Sequence, residues 1–447
     1  MDLKNIYNVY FIGIGGIGMS ALARYFHEIG KNVAGYDKTP TNITSTLSGL
    51  GIDIHFKDDV TLVNEPFKNN KNTLVVYTPA VQVSHEELVY FKSNDFIIKK
   101  RAEVLGLITE NTFCFAVAGT HGKTTTSSIL GHLLKVCGAD MTAFLGGITE
   151  NYHSNLIVNG SKISVVEADE FDRSFLQLSP DVACITSMDA DHLDIYGQAD
   201  ELEKSFVEFS NKLSDKTKLF VKEGLPLNGI TYGIKHTSDY CVQDVKVNDG
   251  AYHFAIKTPR EVIENVVFNL PGQHNLSNAL VAFAMGYDNG FDTQKLVEGL
   301  ASFKGVERRF TYQIKNENLV FIDDYAHHPT EINAVYQAVT EMYPGEKVMA
   351  VFQPHLFSRT QDFVDDFAAS LSQFDEVCLL DIYPAREMPI EGVTSEWLLS
   401  KMTNMNRKVI TKNEIVSEIK KSEAKIILTI GAGDIGAEVS KIKEKIQ

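Results

Sequence analysis

The chain has 447 residues, of which 44% are hydrophobic and 22% are charged, and its formal net charge is −16. This length predicts about three domains, and the composition is that of ordinary globular proteins, with no stretch near the roughly 18 uninterrupted apolar residues of a membrane span. The acidic charge excludes a general nucleic-acid binder, because such proteins hold phosphate backbones with clustered Lys and Arg.

The N-terminus and the cysteines bear on location. Residues 1–5 lead directly into an apolar strand and lack the basic start, apolar core and cleavage site of a signal peptide, so we expect a cytoplasmic protein. No C-x-x-C pair occurs, so neither a disulfide framework nor a zinc site is indicated. The five cysteines are Cys114, Cys137, Cys184, Cys241 and Cys378.

Strand-sized apolar runs alternate with helical segments along the chain, which predicts an α/β protein with largely parallel sheets. The predicted strands are residues 7–12, 73–78, 113–118, 163–166, 182–186, 319–322, 347–352, 376–380 and 425–430. Domain boundaries are predicted near residues 105–112 and 303–308. Between them, polar–apolar alternation over residues 215–270 predicts antiparallel strands appended to the central sheet.

The first strand runs into a Gly-rich turn and then a helical segment. Gly13, Gly15 and Gly18 match the spacing of the dinucleotide-binding fingerprint, and Asp37 ends a second strand at about the distance expected for a ribose contact. The pattern requires only a diphosphate at a helix N-terminus, so a nicotinamide cofactor and a UDP-sugar both satisfy it. A purely structural turn is the remaining interpretation.

The apolar strand at residues 113–118 leads into a second Gly-rich turn and a helix-like stretch, with the sequence Gly119-Thr120-His121-Gly122-Lys123-Thr124-Thr125. Backbone N–H groups of such a turn neutralise nucleotide phosphates, while Lys123 reaches the β and γ oxygens and Thr124 holds Mg²⁺. Val117 stands where the standard P-loop has Gly, so this turn begins at Gly119. The sequence therefore predicts a site for ATP or GTP.

Two groups of acidic residues follow predicted strands in the central region. Glu167, Asp169 and Glu170 lie at a sheet edge where α/β proteins bind ligands, and we expect one of them to meet magnesium rather than to be solvated surface. Residues 188–194 place His192 among three aspartates. A solvated turn and a metal ligand are both open for His192, because Mg²⁺ prefers oxygen ligands.

Polar residues cluster again around the predicted start of the third domain. Asn275 and Asn278 lie one turn apart on a predicted helix, where they could cap the helix or, with His274, hydrogen-bond a base edge. Farther on, Arg308 and Arg309 precede a strand that ends in acids and histidines. This concentration indicates a site rather than packing alone.

Together, and in this order, these motifs closely resemble the Mur ligase family over essentially the full chain. The motifs occupy residues 11–20, 118–125, 167–170, 191–192, 272–275, 323–329 and 352–355. The resemblance implies an α/β protein of three domains. These are a Rossmann-like domain for a UDP-sugar (1–107), a central P-loop ATPase domain with a parallel sheet plus a small antiparallel sheet (108–304), and a Rossmann-like C-terminal domain for an amino acid (305–447).

The resemblance also implies a reaction. ATP phosphorylates the lactyl carboxylate of UDP-N-acetylmuramate, and the amine of L-alanine attacks the acyl phosphate through a tetrahedral intermediate, releasing ADP and phosphate. Phosphoryl transfer depends on positioning and charge neutralisation, which suits the residues present. The implied partners are ATP, UDP-N-acetylmuramate and L-alanine, with Mg²⁺ or Mn²⁺ as the metal, in peptidoglycan precursor synthesis.

The resemblance further assigns roles to residues by position. Catalytic roles fall to Lys123, His192 and Arg309. Metal ligands are Thr124, Glu167 and His192, with the first two on one ion and His192 on a second. ATP contacts are residues 119–125, the adenine pocket of His274, Asn275 and Asn278, the phosphate contact Arg309 and the ribose contact Asp324. UDP-sugar contacts are Gly13, Gly15, Gly16, Gly18 and Asp37.

The amino acid falls to Tyr325, His327, His355 and Arg359, with Arg359 pairing the carboxylate. This chain has Leu356 where many relatives have a second arginine, so carboxylate binding rests on fewer charges. Because Arg309 and Asp324 lie beyond the second boundary, the resemblance implies that domain closure completes the ATP site.

Three other functions compete with this interpretation. A recycling ligase would join the tripeptide L-alanyl-γ-D-glutamyl-diaminopimelate to the same UDP-sugar. An NAD-dependent oxidoreductase would use Gly13 to Gly18 and Asp37 but leaves Lys123, Glu167 and Asn275 unexplained. A regulatory ATPase would turn over ATP without any UDP-sugar.

Overall fold

Three β-sheets with intervening helices organise the chain in a computed structural model. The structure describes residues 3–189, 199–234, 237–248, 251–385 and 387–447. Within that part of the chain, the sheets contain five, ten and six strands, and each predicted apolar run forms a strand that agrees with the prediction to within one or two residues. No described helix has both the length and the apolar character needed to cross a membrane.

The first sheet is parallel throughout, with strand order β3-β2-β1-β4-β5. Its strands are Asn8–Ile12 (β1), Asn32–Tyr36 (β2), Asp53–His55 (β3), Thr73–Tyr77 (β4) and Ile97–Lys100 (β5). The α-helices are Ile17–Glu28 (α1), Asn42–Gly49 (α2), Glu86–Ser93 (α3) and Arg101–Thr109 (α4), and short 3-10 helices span Leu3–Asn5, Val60–Leu62 and Glu65–Lys68. The strand order reverses between β1 and β4, and the first Gly-rich turn leaves β1 at this point, where open α/β sheets bind ligands.

The second sheet has the order β15-β14-β13-β12-β11-β10-β6-β9-β7-β8. Its strands are Phe113–Ala118 (β6), Met141–Thr149 (β7), Ser154–Val158 (β8), Ile163–Glu167 (β9), Val182–Ile185 (β10), Leu219–Lys222 (β11), Ile230–Gly233 (β12), Tyr240–Asn248 (β13), Ala251–Lys257 (β14) and Val262–Phe268 (β15). The α-helices are Lys123–Val136 (α5), Ala199–Ser210 (α6), Gln273–Asp288 (α7) and Thr293–Ser302 (α8), with 3-10 helices at Phe171–Gln177 and Lys216–Lys218.

The prediction of antiparallel strands over residues 215–270 is wrong for the first three strands of this region, which pair in parallel. The strands do extend the central sheet, but β11 pairs in parallel with β10, β12 in parallel with β11, and β13 in parallel with β12. Short polar–apolar alternation shows that a strand has one face towards the core, but it does not show which neighbour the strand joins or in which direction.

The third sheet has the order β16-β17-β21-β18-β19-β20, in which β16 is antiparallel to β17 and the other pairs are parallel. Its strands are Thr311–Lys315 (β16), Val320–Asp324 (β17), Val348–Phe352 (β18), Glu376–Leu379 (β19), Asn406–Val409 (β20) and Ile426–Ile430 (β21). The α-helices are Pro329–Met342 (α9), Phe357–Asp362 (α10), Val364–Leu371 (α11), Ser395–Lys401 (α12), Ile415–Lys421 (α13) and Val439–Ile446 (α14), with 3-10 helices at Lys412–Glu414 and Asp434–Glu438.

Burial on both faces of the strands explains the continuous apolar runs in the sequence. In β1, Val9 and Phe11 pack into one core cluster, and Tyr10 and Ile12 pack into another on the opposite face. Such burial on both faces is typical of parallel sheets covered by helices. The first of these clusters also contains Phe144, so the N-terminal sheet and part of the central sheet share one core.

Contacts between residues divide the chain into two compact units. The first comprises Met1–Gln243, Ile256–Ile263 and Asn278–Phe303, and the second comprises Asp244–Ala255, Glu264–Ser277 and Lys304–Gln447. The first unit holds both Gly-rich turns, and the second holds the whole third sheet. The predicted limits of three domains at 107 and 304 stay a prediction.

Candidate active site

The second Gly-rich turn has a backbone that only glycine adopts easily. Gly119 has φ +130° and Gly122 has φ +83°, both in the region that side chains disfavour. A Cβ built on Gly119 would lie 2.2 Å from the Thr186 Oγ1 atom. The turn therefore leaves β6 tightly, and α5 begins immediately after it at Lys123.

The segment after the neighbouring strand β10 fixes this turn. The His121 N–H donates to the Ser187 hydroxyl at 2.7 Å, and the Thr120 and Ser187 hydroxyls are hydrogen-bonded at 2.9 Å. The Thr186 hydroxyl donates to the backbone carbonyls of Ala118 and His121. Sequence reasoning missed Thr186 and Ser187, although their position directly after a strand beside β6 was a usable signal.

Lys123 lies across the turn at the start of α5. Its Nζ donates to the Gly119 carbonyl at 2.6 Å and to the Thr120 carbonyl at 3.3 Å. The same atom lies 2.9 and 2.8 Å from the two carboxylate oxygens of Glu170, whose side chain is fully buried. Burial alone would lower the pKa of Lys123, but the charges of Glu170, Asp169 and Glu167 outweigh burial and raise it. The lysine is therefore held charged.

Two of the three predicted metal ligands lie at the carboxyl edge of the central sheet. Thr124 is buried in the first turn of α5, and Glu167 ends β9, which pairs in parallel with β6. Glu167 accepts a hydrogen bond from the Gly146 N–H at 3.0 Å, and a Cβ on Gly146 would lie 2.2 Å from that carboxylate, so the absent side chain leaves room for it. A hydroxyl and a carboxylate are oxygen donors that fit Mg²⁺.

The third predicted ligand, His192, lies outside the described residues. In the described part of the chain, no three His, Cys, Asp or Glu side chains gather in a way that could hold a metal ion. The metal roles of Thr124, Glu167 and His192 therefore stay predictions.

The predicted adenine residues differ in their surroundings. Asn278 lies against the second Gly-rich turn, because a Cβ on Gly122 would be 2.7 Å from its Oδ1 atom. In the other compact unit, the Asn275 amide donates to the Pro271 carbonyl at 2.7 Å, and the His274 ring lies against Gly272, which has φ +95°. Asn275 and His274 thus contact residues that immediately precede α7.

In the first Gly-rich turn, the backbone N–H groups already have acceptors in the protein. Gly13 and Ile14 donate to the Tyr36 carbonyl, and Gly16 donates to the Gly13 carbonyl. Gly15 donates to the Asp37 carboxylate at 2.7 Å. The predicted UDP-sugar residues Gly13, Gly15, Gly16 and Asp37 are therefore brought together.

Gly18 lies in the first turn of α1, next to an arginine that sequence reasoning missed. A Cβ on Gly18 would lie 2.9 Å from the Arg101 Nη1 atom, and Arg101 Nη2 lies 3.5 Å from the Asp169 carboxylate. Arg101 and Asp169 also line one small cavity together with Glu167. Arg101 thus stands between the first turn and the acids that follow β9.

The start of the third sheet carries a buried carboxylate held by backbone groups. Asp324 accepts hydrogen bonds from the N–H groups of Phe310 and Ala326, both at 2.7 Å. Burial raises the pKa of Asp324 to about 6, although the Arg309 charge opposes this. Phe310 has φ +51°, so Asp324 stabilises a strained turn. Asp324, the predicted ribose contact, thus already accepts hydrogen bonds from the backbone of this turn.

Two consecutive arginines stand in this turn. Arg308 donates to Asp323 at 3.0 Å and to the Gly431 carbonyl at 2.6 Å. Arg309 lies 5.2 Å from the centre of the Tyr325 ring and 3.9 Å from Glu331. Arg308 is therefore bound within the fold, while Arg309 makes looser contacts.

The four residues predicted for the amino acid meet in one place. The rings of Tyr325 and His327 are 5.4 Å apart, those of His327 and His355 are 6.0 Å apart, and the Arg359 Nη1 atom lies 3.4 Å from His355 Nδ1. Burial lowers the pKa of His327, with Glu331 opposing this and Arg359 reinforcing it. A neutral imidazole beside a buried arginine and a tyrosine offers contacts for a small zwitterion.

Sequence reasoning missed two neighbours of this cluster. The Glu331 carboxylate lies 3.2 Å from His327 Nδ1 and accepts the His327 backbone N–H at 2.9 Å. The Tyr383 ring stacks on His355 with centres 5.7 Å apart. Leu356, which stands where many relatives have a second arginine, is buried and has φ +72°. This position therefore supplies no charge to the cluster.

Comparison with family models identifies the class of protein. Residues 8–112 match the Mur ligase family catalytic domain, residues 117–286 the Mur ligase middle domain, and residues 308–434 the Mur ligase glutamate ligase domain. The chain belongs to the Mur ligase family. The three matched segments follow the three sheets in order.

Similar proteins of known name match over their full length. The chain is 62% identical over 446 residues to the UDP-N-acetylmuramate–L-alanine ligase of Flavobacterium johnsoniae, covering 100% of this chain and 99% of that one. It is 61% identical to the protein of the same name from Flavobacterium psychrophilum, with the same coverage.

Solved structures match as well. The crystal structure of the UDP-N-acetylmuramate-alanine ligase of Thermotoga maritima has a TM-score of 0.83 at 29% identity and covers 98% of this chain and 99% of that one. A murein peptide ligase from Psychrobacter arcticus, at 19% identity, shares the fold with a TM-score of 0.70 and covers 98% of both chains.

Proposed function

We propose that this chain is an ATP-dependent ligase that joins L-alanine to UDP-N-acetylmuramate, a step of peptidoglycan precursor synthesis. The observation that carries the proposal is its 62% identity, over the full length, to a protein named for that reaction. The geometry supports it, because Lys123 lies on a Gly-rich turn at a sheet edge and Tyr325, His327, His355 and Arg359 form one polar cluster.

The residues of the second Gly-rich turn would bind ATP. Residues 119–125 would surround its phosphates, and Lys123 would neutralise charge on the phosphoryl group being transferred. We assign Asn278, with His274 and Asn275, to the adenine, Arg309 to a phosphate and Asp324 to the ribose. These assignments rest on the family pattern.

Magnesium would supply charge neutralisation and orientation of the phosphates. Thr124 and Glu167 offer oxygen ligands that fit Mg²⁺, and His192 is assigned to a second ion. The chain's own contribution at this edge would be the Thr124 hydroxyl, the Glu167 carboxylate and the Lys123 ammonium.

The first Gly-rich turn would bind the UDP-sugar. Gly13, Gly15, Gly16 and Gly18 allow close approach of a diphosphate to the start of α1, and Asp37 would contact the ribose. Since ATP and a UDP-sugar are cytoplasmic metabolites, we also propose that the enzyme acts in the cytoplasm.

The reaction then balances as two steps. The γ-phosphoryl group passes from ATP to the lactyl carboxylate, which gives an acyl phosphate and ADP; the alanine nitrogen then attacks the carbonyl carbon, and phosphate leaves as the nitrogen loses a proton. Arg359 would pair the alanine carboxylate and so orient the amine.

An isotope experiment tests this sequence of steps. UDP-N-acetylmuramate with ¹⁸O in the lactyl carboxylate should transfer one ¹⁸O to the released phosphate, as measured by mass spectrometry, while UDP-N-acetylmuramoyl-L-alanine appears in equal amount. Amide product without ¹⁸O in the phosphate would contradict the acyl phosphate, and ADP without amide product would contradict ligation.

A further inference from the structure

Glu170 is a charged residue that the proposed reaction does not use. Its side chain is 0% exposed, and both of its carboxylate oxygens lie within 2.9 Å of Lys123 Nζ. A carboxylate is costly to bury and is found inside proteins when it is paired. The residue of this acidic segment that is proposed to bind the metal is Glu167, and its carboxylate accepts a hydrogen bond from the Gly146 N–H.

A strained turn holds Glu170 in this place. Asp172 and Arg173, which lie two and three residues after Glu170, have φ +52° and +53°, a left-handed conformation that costs energy for residues other than glycine. The Arg173 N–H donates to the Glu170 carbonyl at 2.9 Å. On either side, Asp169 pairs with Arg101 at 3.5 Å and Asp172 pairs with Lys100 at 3.2 Å. The carboxylate of Glu170 is thus presented to Lys123 by a turn anchored at both ends.

The ammonium of Lys123 has three N–H donors, and all three have acceptors here. They serve the carbonyls of Gly119 and Thr120 and the carboxylate of Glu170. A phosphate oxygen can bind this ammonium only if one of these acceptors gives way. Glu170 is the acceptor whose negative charge also repels a phosphate in a buried site.

We propose that Glu170 is the internal counter-ion of the phosphate-binding lysine, which positions Lys123 on the turn without nucleotide and is replaced by the ATP phosphates when nucleotide binds. The inference rests on the proposed ATP site. It adds that the Glu170 carboxylate competes with the ATP phosphates for the Lys123 ammonium. Removing the carboxylate removes a contact that only the nucleotide-free protein makes, and it also removes the repulsion that only the nucleotide-bound protein suffers. Both effects favour nucleotide binding.

The test measures binding rather than turnover. Glu170→Gln keeps the size and hydrogen-bonding ability of the side chain but not its charge. The dissociation constant of adenylyl imidodiphosphate with Mg²⁺, measured by calorimetry, should fall by about threefold or more. That of AMP, which has no β or γ phosphate to reach Lys123, should not change.

Three further variants locate the effect. Asp172→Asn is the matched control, because it neutralises a carboxylate of the same turn that pairs with Lys100, and asparagine tolerates the left-handed backbone. It should leave both dissociation constants unchanged. Glu170→Asp, which withdraws the carboxylate by about 1.5 Å, should tighten binding of the analogue less than Glu170→Gln does. Combined with Lys123→Ala, Glu170→Gln should tighten binding less than it does alone, because no lysine remains to be released and only the repulsion of the phosphates is relieved.

Unchanged or weaker analogue binding by Glu170→Gln, with UDP binding and the thermal midpoint intact, would overturn the proposal. Equal tightening of AMP binding would overturn it as well, because the effect would not pass through the phosphates. If Glu170→Gln does not fold, Glu170→Asp decides by the same comparison. Wild-type protein that binds the analogue but forms no amide would count against the proposed function and leave this inference standing.

Discussion

At the scale of the residue, Arg359 carries the assignment of the amino-acid site. It is buried beside His355, and the neighbouring Leu356 offers no second charge. Arg359→Lys keeps the charge but loses the planar pair of donors that matches a carboxylate. We expect KM for L-alanine to rise by about tenfold or more, with KM for ATP unchanged, in initial-rate assays.

A second arginine of the third sheet gives the control for that prediction. Arg407 donates to backbone carbonyls of Leu399 and Asn404 at the far edge strand, away from the cluster. Arg407→Lys should therefore leave KM for L-alanine as it is. A rise of both KM values, or of the ATP value alone, in Arg359→Lys would show that Arg359 serves another substrate.

A second residue-scale prediction concerns Glu87 in the N-terminal domain. Glu87 is buried, accepts from the Tyr10 hydroxyl at 2.8 Å and lies 3.3 Å from His55. Burial raises the pKa of Glu87 from 4.5 to about 7. The folded protein therefore holds this proton more tightly than the unfolded chain does, and the resulting stability is present below pH 4.5 and is lost as pH rises through about 7.

Glu87→Gln removes this titration while keeping both the size and the acceptor. The thermal midpoint of the variant, relative to wild type, should rise as pH increases from about 5 to about 8. Differential scanning calorimetry across this range provides the measurement, with the exposed Glu65→Gln as control. A difference between variant and wild type that stays constant with pH would contradict the assignment.

At the scale of the element, the turn between β6 and α5 depends on its glycines. Gly119→Ala places a methyl group 2.2 Å from the Thr186 hydroxyl and forces a left-handed backbone on alanine. We expect a loss of about 2 kcal/mol or more of stability and a larger loss of nucleotide binding, measured by melting and by calorimetry with adenylyl imidodiphosphate. Gly138→Ala, at the far end of α5, meets no atom within 4 Å.

Gly138 also has a positive φ, +77°, so its replacement carries similar backbone strain without the collision. Gly138→Ala should therefore reduce stability and leave nucleotide binding intact. Equal effects of the two replacements on nucleotide binding would mean that the turn's shape does not matter for phosphates.

Much of the fold could be predicted from the sequence, because a strand that is buried on both faces consists of a continuous run of apolar residues. The run at residues 113–118 is apolar without alternation, and it forms a strand that is buried on both faces. The direction of β11 and β12 could not be predicted, because pairing depends on partners far along the chain.

The site was predictable where spacing along one segment expresses the chemistry, as in Gly119 to Thr124. It was not predictable where distant segments meet. Three acids stand in residues 167–170, and nothing in their order says that Glu170 is the one that reaches Lys123. Arg101 was missed for the same reason, since its meaning comes from Gly18 and Asp169.

At the scale of the whole molecule, the two Gly-rich turns belong to different sheets. Among the described residues, the Lys123 ammonium donates to the carbonyls of Gly119 and Thr120 and to the carboxylate of Glu170, and none of these acceptors lies in residues 13–18. Lys123→Ala should therefore abolish turnover, by about a thousandfold or more, while UDP-sugar binding measured by calorimetry stays near the wild-type value. Lys162→Ala, an exposed lysine of the same domain, is the control.

If Lys123→Ala lost UDP-sugar binding together with turnover, the assignment of the two turns to different substrates would be wrong. Loss of both UDP-sugar binding and turnover together with an altered melting profile would instead indicate misfolding. The control variant and circular dichroism distinguish misfolding from a specific loss of binding.

The most direct test of the account is phosphate release from ATP and Mg²⁺ in the presence of UDP-N-acetylmuramate, with L-alanine, L-serine, glycine or the tripeptide L-alanyl-γ-D-glutamyl-diaminopimelate as acceptor. The account predicts the highest kcat/KM with L-alanine and release that depends on both the UDP-sugar and the acceptor. Release only with the tripeptide would make the protein a recycling ligase, and release without any UDP-sugar would contradict ligation altogether.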